Sequence, residues 1–123
     1  MDHSPGFLKI VDEAKARVPE VTVAETRRRV SGNETVWFID VREDSEWLAG
    51  HAAGARHLGK GIIERDIEAK VPDKGAEIIL YCGGGFRSAL AGDALRKMGY
   101  TNVLSMAGGW REWVASGGPV ELP

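Results

Sequence analysis

Residues 78–88 read IILYCGGGFRS and join an unbroken apolar run to three consecutive glycines. A short apolar run of this kind is typical of a strand that is buried on both faces. The residues after the glycines predict a helix from Ser88 to Met98, because its apolar side chains share one face: Leu90, Ala91, Ala94, Leu95 and Met98. The segment therefore predicts a strand, a loop and a helix in succession, which is a repeating unit of α/β folds.

Short strands and helices alternate along the rest of the chain. The patterns predict strands at Val21–Val23, Val36–Ile39, Arg56–Leu58, Ile78–Tyr81 and Val103–Leu104. They predict further helices at Phe7–Arg17, Thr22 to about Val30 (stopped by Gly32 and Asn33), Ser45–Ala49, Ile62–Ala69 and Trp110–Ser116, and a loop at His51–Gly54. This alternation predicts an α/β fold with a mostly parallel central sheet of about five short strands and helices on both faces. In such sheets ligands bind beyond the carboxyl ends of the strands, and one of those ends is the loop that begins at Cys82.

The size and composition are those of an ordinary globular protein. Residues 1–123 suit one domain, with the Phe7–Arg17 helix appended to its core. A net charge of −2, from 16 basic and 18 acidic residues, argues against a nucleic-acid or acidic-membrane partner. No apolar stretch approaches the ~18 residues of a membrane span, and residues 1–6 lack the features of a signal peptide. Because a single cysteine cannot form an internal disulfide, we expect a cytoplasmic location.

The loop Cys82–Ser88 contains the residues that are suited to bind an anion and to react. Three glycines let successive backbone N–H groups turn inward around an anion, and the following helix adds unpaired N–H donors. Arg87 adds a full positive charge. Since such surroundings lower a thiol pKa from ~8.5 to roughly 3.5–7.5, we expect Cys82 to be a reactive thiolate. In the alternative interpretation, Cys82 is an inert core residue and the glycines form an ordinary tight turn.

Four segments, in the same order along the chain, resemble the rhodanese-like family and specifically its single-domain thiosulfate or persulfide sulfurtransferases. They are Asp40-Val41-Arg42, Glu46 with the block Gly50–Ala55, Cys82–Ser88, and Gly108-Gly109 with Trp113. The resemblance covers the chain from about Val21 to Pro119. Ala52 and Ala53 depart from it, because the family commonly has isoleucine and proline there. The four residues between Cys82 and Arg87 match the loop length that the family uses for sulfur transfer, whereas related phosphatases have one residue more.

The resemblance implies an enzyme that moves sulfane sulfur from thiosulfate or a persulfide donor to a thiophilic acceptor through a Cys82 persulfide. Cys82 is then the nucleophile, and the substrate-binding cradle consists of Gly83, Gly84, Gly85, Phe86, Arg87 and Ser88. Arg87 either binds the anionic end of the donor or braces the loop, while Asp40 and Arg42 support the site. No cofactor and no metal is implied. The expected partners are a small-molecule sulfur donor and acceptor, such as thiosulfate, cyanide or thiols, or a protein that accepts the sulfur.

Two other classes of function stay open at this point. One is phosphatase or arsenate-reductase chemistry in the related fold, and the other is a non-catalytic or redox-sensing module. Lys60 lies between two glycines past a strand end, where it either attracts an anion or is an ordinary surface lysine. Trp110 either shapes the mouth of the pocket or packs in the core. We expect His51 to be a structural loop residue rather than an acid–base catalyst.

Overall fold

A computed structural model describes residues 3–32 and 35–123 of the chain. The helices are α1 (Pro5–Arg17), α2 (Val23–Gly32), α3 (Asp44–Leu48), α4 (Ile63–Lys70), α5 (Phe86–Lys97) and α6 (Gly109–Ala115). The strands are β1 (Glu20–Val21), β2 (Trp37–Asp40), β3 (His51–Ala52), β4 (Arg56–His57), β5 (Ile78–Tyr81), β6 (Val103–Met106) and β7 (Val120–Glu121). The predicted helix stop at Asn33 lies outside the described residues.

Five of the strands form a parallel sheet in the order β1-β6-β5-β2-β4. The strand β5 lies at its centre and pairs with β2 on one side and β6 on the other, so that Ile78 faces both Trp37 and Val103. All four residues of β5 are buried, as its continuous apolar sequence predicts. The predicted α/β fold with a mostly parallel sheet is confirmed.

The side chains of β5 alternate between two hydrophobic cores, one on each face of the sheet. Ile78 and Leu80 pack with apolar residues of α4 and α5, whereas Ile79 and Tyr81 pack with residues of α2 and α6. This division follows from the strand geometry, in which successive side chains point to opposite faces. Cys82 belongs to the α4 and α5 side, so the loop that it starts lies directly over a packed core.

The helix α1 packs against α5. Val11 and Ala14 are buried on its inner face, and Arg17 donates two hydrogen bonds of 2.7 Å to the carboxylate of Asp93. A β-carbon at Gly92 would lie 2.9 Å from Cγ1 of Val18, so the glycine permits this close approach. The helix α1 is thereby fixed onto the helix that follows the glycine loop.

The prediction of a loop at His51–Gly54 is wrong at its start. His51 and Ala52 form β3, which pairs antiparallel with β7, a strand that the sequence pattern did not predict. The N–H of Ala53 continues the contact by donating to the oxygen of Pro119 over 2.9 Å. A two-residue strand is too short to show the alternation by which strands are recognised, so its existence depends on the docking of the distant chain end.

The boundaries of two elements beside the loop also differ from the predictions. The helix α5 begins at Phe86 rather than Ser88, and β6 extends to Met106 rather than Leu104. Gly85 has a φ of 101°, a conformation that side-chain-bearing residues rarely adopt, and it lets the helix begin at the next residue. The turn between β5 and α5 is therefore short.

Neither a membrane span nor a metal cluster occurs in the part of the chain that the structure describes. Each of the helices α1 to α6 is too short or too polar to cross a bilayer. No three His, Cys, Asp or Glu side chains of residues 3–32 and 35–123 come together as metal ligands would.

Candidate active site

Cys82 lies immediately after β5, and its sulfur faces donors from the loop and from α5. The N–H of Gly85 donates to Sγ over 3.1 Å, and the hydroxyl of Ser88 lies 3.5 Å from the same atom. The Ser88 hydroxyl is itself 2.8 Å from that of Ser105 on β6, which fixes its position. The thiol is only 1% exposed, but it is not surrounded by hydrocarbon alone, because one side of it meets these polar groups.

The pKa of Cys82 is set by opposing influences. Burial is the largest of them and raises the pKa, since it disfavours the charged thiolate. The Ser88 hydroxyl and the backbone N–H groups of Ser88, Gly85 and Gly84 lower it, because each of them stabilises a negative sulfur. Together these donors outweigh burial, so the pKa lies below that of an ordinary thiol.

The start of α6 holds the carbonyl side of the loop. The N–H of Trp110 donates to the oxygen of Cys82 over 2.8 Å, and the N–H of Arg111 donates to the oxygen of Gly83 over 3.2 Å. Gly109 makes this approach possible, because a β-carbon there would collide with the Cys82 carbonyl oxygen and lie 2.9 Å from that of Gly83. Since the carbonyl and the N–H of one peptide plane point in opposite directions, holding the Gly83 carbonyl outward turns the N–H of Gly84 toward the sulfur.

Arg87 lies against the loop and pairs with Glu46 of α3. Its two terminal nitrogens donate to the two carboxylate oxygens over 2.7 and 3.1 Å. The hydrogen bond from Arg87 lowers the pKa of Glu46, and the same contact raises the pKa of Arg87. A β-carbon at Gly83 would lie 3.1 Å from Nη2 of Arg87, so the paired guanidinium lies directly beside this glycine. Sequence reasoning gave Glu46 no role, because its partner lies 41 residues away and no local pattern signals the contact.

Asp40 and Arg42 form a buried ion pair with side chains 0% and 3% exposed, not a solvent-exposed one. Nη2 of Arg42 donates to Asp40 over 2.9 Å and to the oxygen of Gly50 over 2.7 Å. The Tyr81 hydroxyl donates to the same Asp40 oxygen, Oδ2, over 2.6 Å and accepts from the N–H of Ala52 over 3.0 Å. Burial and the neighbouring carboxylate raise the pKa of Tyr81, so its hydroxyl stays protonated. The network ties β2 and β5 to β3 behind the loop.

Three other residues singled out from the sequence have defined positions. The His51 ring stacks on Trp47 with centroids 3.4 Å apart, and its Nδ1 lies 3.2 Å from the Trp47 oxygen. Trp110 lies under the guanidinium of Arg42 at 4.6 Å and so connects the start of α6 to the buried ion pair. The N–H of Lys60 donates to the oxygen of Val41 over 2.9 Å, a contact of its backbone and not of its side chain.

Phe86 links the predicted cradle to α1. Its ring centroid lies 4.9 Å from that of His3 and 6.2 Å from that of Phe7. The ammonium group of Lys15 lies 4.7 Å from the same ring. The appended helix therefore packs against the end of the loop at Phe86.

The central strand of the parallel sheet ends at Cys82, and N–H groups of the following loop and helix point at its sulfur. These features define the class: an α/β protein with a reactive cysteine in the loop after its central strand. The family model of the rhodanese-like domain matches residues 22–116. The chain belongs to this family, as the four sequence segments indicated. The helix α1 precedes the matched residues.

The names and descriptions of similar proteins refer to two kinds of chemistry, sulfur transfer and tyrosine phosphatase activity. A protein of Allochromatium vinosum named sulfurtransferase is 29% identical over 106 residues, which cover 86% of this chain and 97% of that protein. Bacillus subtilis YrkF is 29% identical over 101 residues; the match covers 82% of this chain but only about half, 54%, of YrkF. A solved structure from Rhodopseudomonas palustris, of a protein of unknown function described as a possible tyrosine phosphatase, has a TM-score of 0.84 and 29% identity and covers 98% of both chains.

Proposed function

We propose that the protein is a sulfurtransferase that carries sulfane sulfur on Cys82, with residues 1–123 acting as one rhodanese-like domain. The observation that carries the proposal is the Gly85 N–H directed at the sulfur over 3.1 Å. The lowered pKa of Cys82 supports it, because sulfur transfer needs a thiolate as nucleophile. The name of the Allochromatium vinosum relative supports the same chemistry.

The first step loads Cys82 with sulfur. The thiolate attacks the outer sulfur of thiosulfate, a bond forms between these two atoms, the bond to the central sulfur breaks, and sulfite leaves with the electron pair. The terminal sulfur of the resulting persulfide is negatively charged, and the N–H groups that stabilise the thiolate are of the kind that stabilises this charge. The lowered pKa of Cys82 favours the thiolate, and a thiolate needs no general base to attack.

The second step passes the sulfur on. A thiophilic acceptor attacks the terminal sulfur, and the Cys82 thiolate is the leaving group. Since Cys82 is the only cysteine of the chain, the persulfide cannot be resolved as an internal disulfide. The acceptor is therefore not a cysteine of residues 1–123; cyanide, a small thiol or a sulfur-accepting protein can take the sulfur, and the two half-reactions follow ping-pong kinetics.

Phosphate chemistry is the competing use of the same kind of loop, and the Rhodopseudomonas palustris description names it for that protein. A phosphoryl group brings several oxygens into the loop, and an arginine fork is suited to bind two of them. In this chain both terminal nitrogens of Arg87 are occupied by Glu46. The Gly85 N–H already reaches Sγ, so the loop closes tightly around one sulfur atom. The close approach of the loop to a single sulfur atom favours sulfur over phosphate.

A steady-state assay with thiosulfate and cyanide tests the proposal. We expect thiocyanate and sulfite to form with ping-pong kinetics and both activities to vanish in Cys82→Ser. An aryl phosphate is the matched alternative substrate and should not be hydrolysed. Hydrolysis of the aryl phosphate without any release of sulfite would overturn the proposal in favour of a phosphatase.

A further inference from the structure

Arg111 places a second guanidinium beside the glycine loop. Its backbone N–H donates to the oxygen of Gly83 over 3.2 Å, which anchors the first turn of α6 to the loop. Its side chain is exposed, and a β-carbon at Gly84 would lie 3.8 Å from its Nη1. The guanidinium therefore lies beside Gly84, whose N–H helps to lower the pKa of Cys82.

The charge of Arg111 is not compensated by a neighbour. Among the arginines of residues 3–32 and 35–123, only Arg111 and Arg96 have side chains without a hydrogen bond, ion pair or ring contact. Arg96 lies at the opposite end of α5 from the loop. Arg87, which flanks the loop at Gly83, is engaged by Glu46 through both terminal nitrogens. Of the two guanidinium groups that flank the loop, only Arg111 is free to bind a ligand.

We propose that Arg111 binds the anionic end of the sulfur donor and makes the site selective for charged donors such as thiosulfate. The inference rests on the sulfurtransferase function proposed above. Thiosulfate that presents its outer sulfur to Cys82 directs three oxygens away from it, and a guanidinium fork matches such oxygens in geometry and charge. The departing sulfite carries the same oxygens, so Arg111 also stabilises the leaving group as the sulfur–sulfur bond breaks.

Two alkylating probes of equal size isolate the effect of charge. Iodoacetate and iodoacetamide each form a carbon–sulfur bond with the Cys82 thiolate and release iodide, but only iodoacetate is an anion. In Arg111→Gln we expect the iodoacetate rate to fall by about three- to tenfold while the iodoacetamide rate stays unchanged. Arg96→Gln removes the same charge elsewhere and should alter neither rate, and Arg111→Lys should retain most of the preference for iodoacetate. An unchanged iodoacetate rate in Arg111→Gln, or an equal fall of both rates, would overturn the proposal.

Thiosulfate kinetics separate this inference from the function on which it rests. The value of kcat/KM for thiosulfate should fall in Arg111→Gln by about the same factor as the iodoacetate rate, chiefly through a higher KM. If the unaltered protein releases sulfite and Arg111→Gln keeps its KM and its alkylation ratio, the role of Arg111 is wrong and the sulfurtransferase stands. If the unaltered protein is alkylated at Cys82 but releases no sulfite, the sulfurtransferase itself is wrong.

Discussion

The ionisation of Cys82 depends on a few hydrogen-bond donors that act against its burial. One of them is the side chain of Ser88, which Ser105 holds in place from β6. The others are backbone N–H groups, which no side-chain substitution removes directly. Ser88 is therefore the residue at which the charge of the sulfur can be tested without altering the loop backbone.

Replacing Ser88 by alanine should raise the pKa of Cys82, because a donor to the thiolate is lost while burial remains. Since only the thiolate is alkylated, the iodoacetamide rate rises with pH through this pKa. The half-maximal rate of the unaltered protein should fall below the ordinary thiol value of ~8.5, and that of Ser88→Ala at a higher pH. Ser116→Ala, on the outer end of α6, is the control. Coincident pH profiles of Ser88→Ala and the unaltered protein would contradict this explanation of the thiolate.

A substitution at Tyr81 tests how much the network around the buried ion pair stabilises the fold. In Tyr81→Phe, Asp40 loses a hydrogen bond and the N–H of Ala52 loses its acceptor, and both groups are buried. We expect the free energy of unfolding to fall by about 1–3 kcal/mol, measured by urea denaturation. Tyr100→Phe removes a single hydrogen bond, to the oxygen of Val71, and should lose less. An unchanged stability of Tyr81→Phe would show that the network does not support the strand ends.

At the scale of elements, the turn at the start of α6 determines how the loop at Cys82 is held. Gly108 and Gly109 both have positive φ, and they bring two N–H groups of α6 to two carbonyls of the loop. The helix α6 also contributes Trp113, which is fully buried in the core below. Packing of one helix thus fixes both the core and the orientation of the loop peptides.

Gly109→Ala separates conformational strain from collision. Gly109 and Gly117 both have positive φ, at 53° and 78°, so alanine is strained at either position. A β-carbon meets the Cys82 and Gly83 backbone at Gly109 but open space at Gly117. We expect Gly109→Ala to lose about 1–3 kcal/mol more stability than Gly117→Ala in urea denaturation. Equal losses in the two variants would show that α6 does not press on the loop.

At the scale of the whole molecule, the parallel sheet places a thiol at the end of its central strand and covers both faces with helices. The α4 and α5 core lies below Cys82, α6 holds the loop from one side, and α1 contacts Phe86 on another. The site is therefore built from elements spread along the chain. Its loop is local in sequence, but its supports are not.

The difference between a loop that is local in sequence and supports that are distant explains which features the sequence could predict. The strand β5 and the loop at Cys82 were predictable, because apolar runs and consecutive glycines are local signals. The pairing of β3 with β7 joins residue 51 to residue 121 and was missed, since neither strand has a pattern of its own. The contact between Glu46 and Arg87 was missed for the same reason, because it forms only after α3 has docked beside the loop.

The mass of the intact protein after exposure to thiosulfate tests the central claim most directly. A persulfide on Cys82 should add about 32 Da, the mass of one sulfur atom, and cyanide should remove it again. Cys82→Ser should gain nothing under the same conditions. An unaltered protein that gains no mass, or a Cys82→Ser variant that gains as much, would contradict the account.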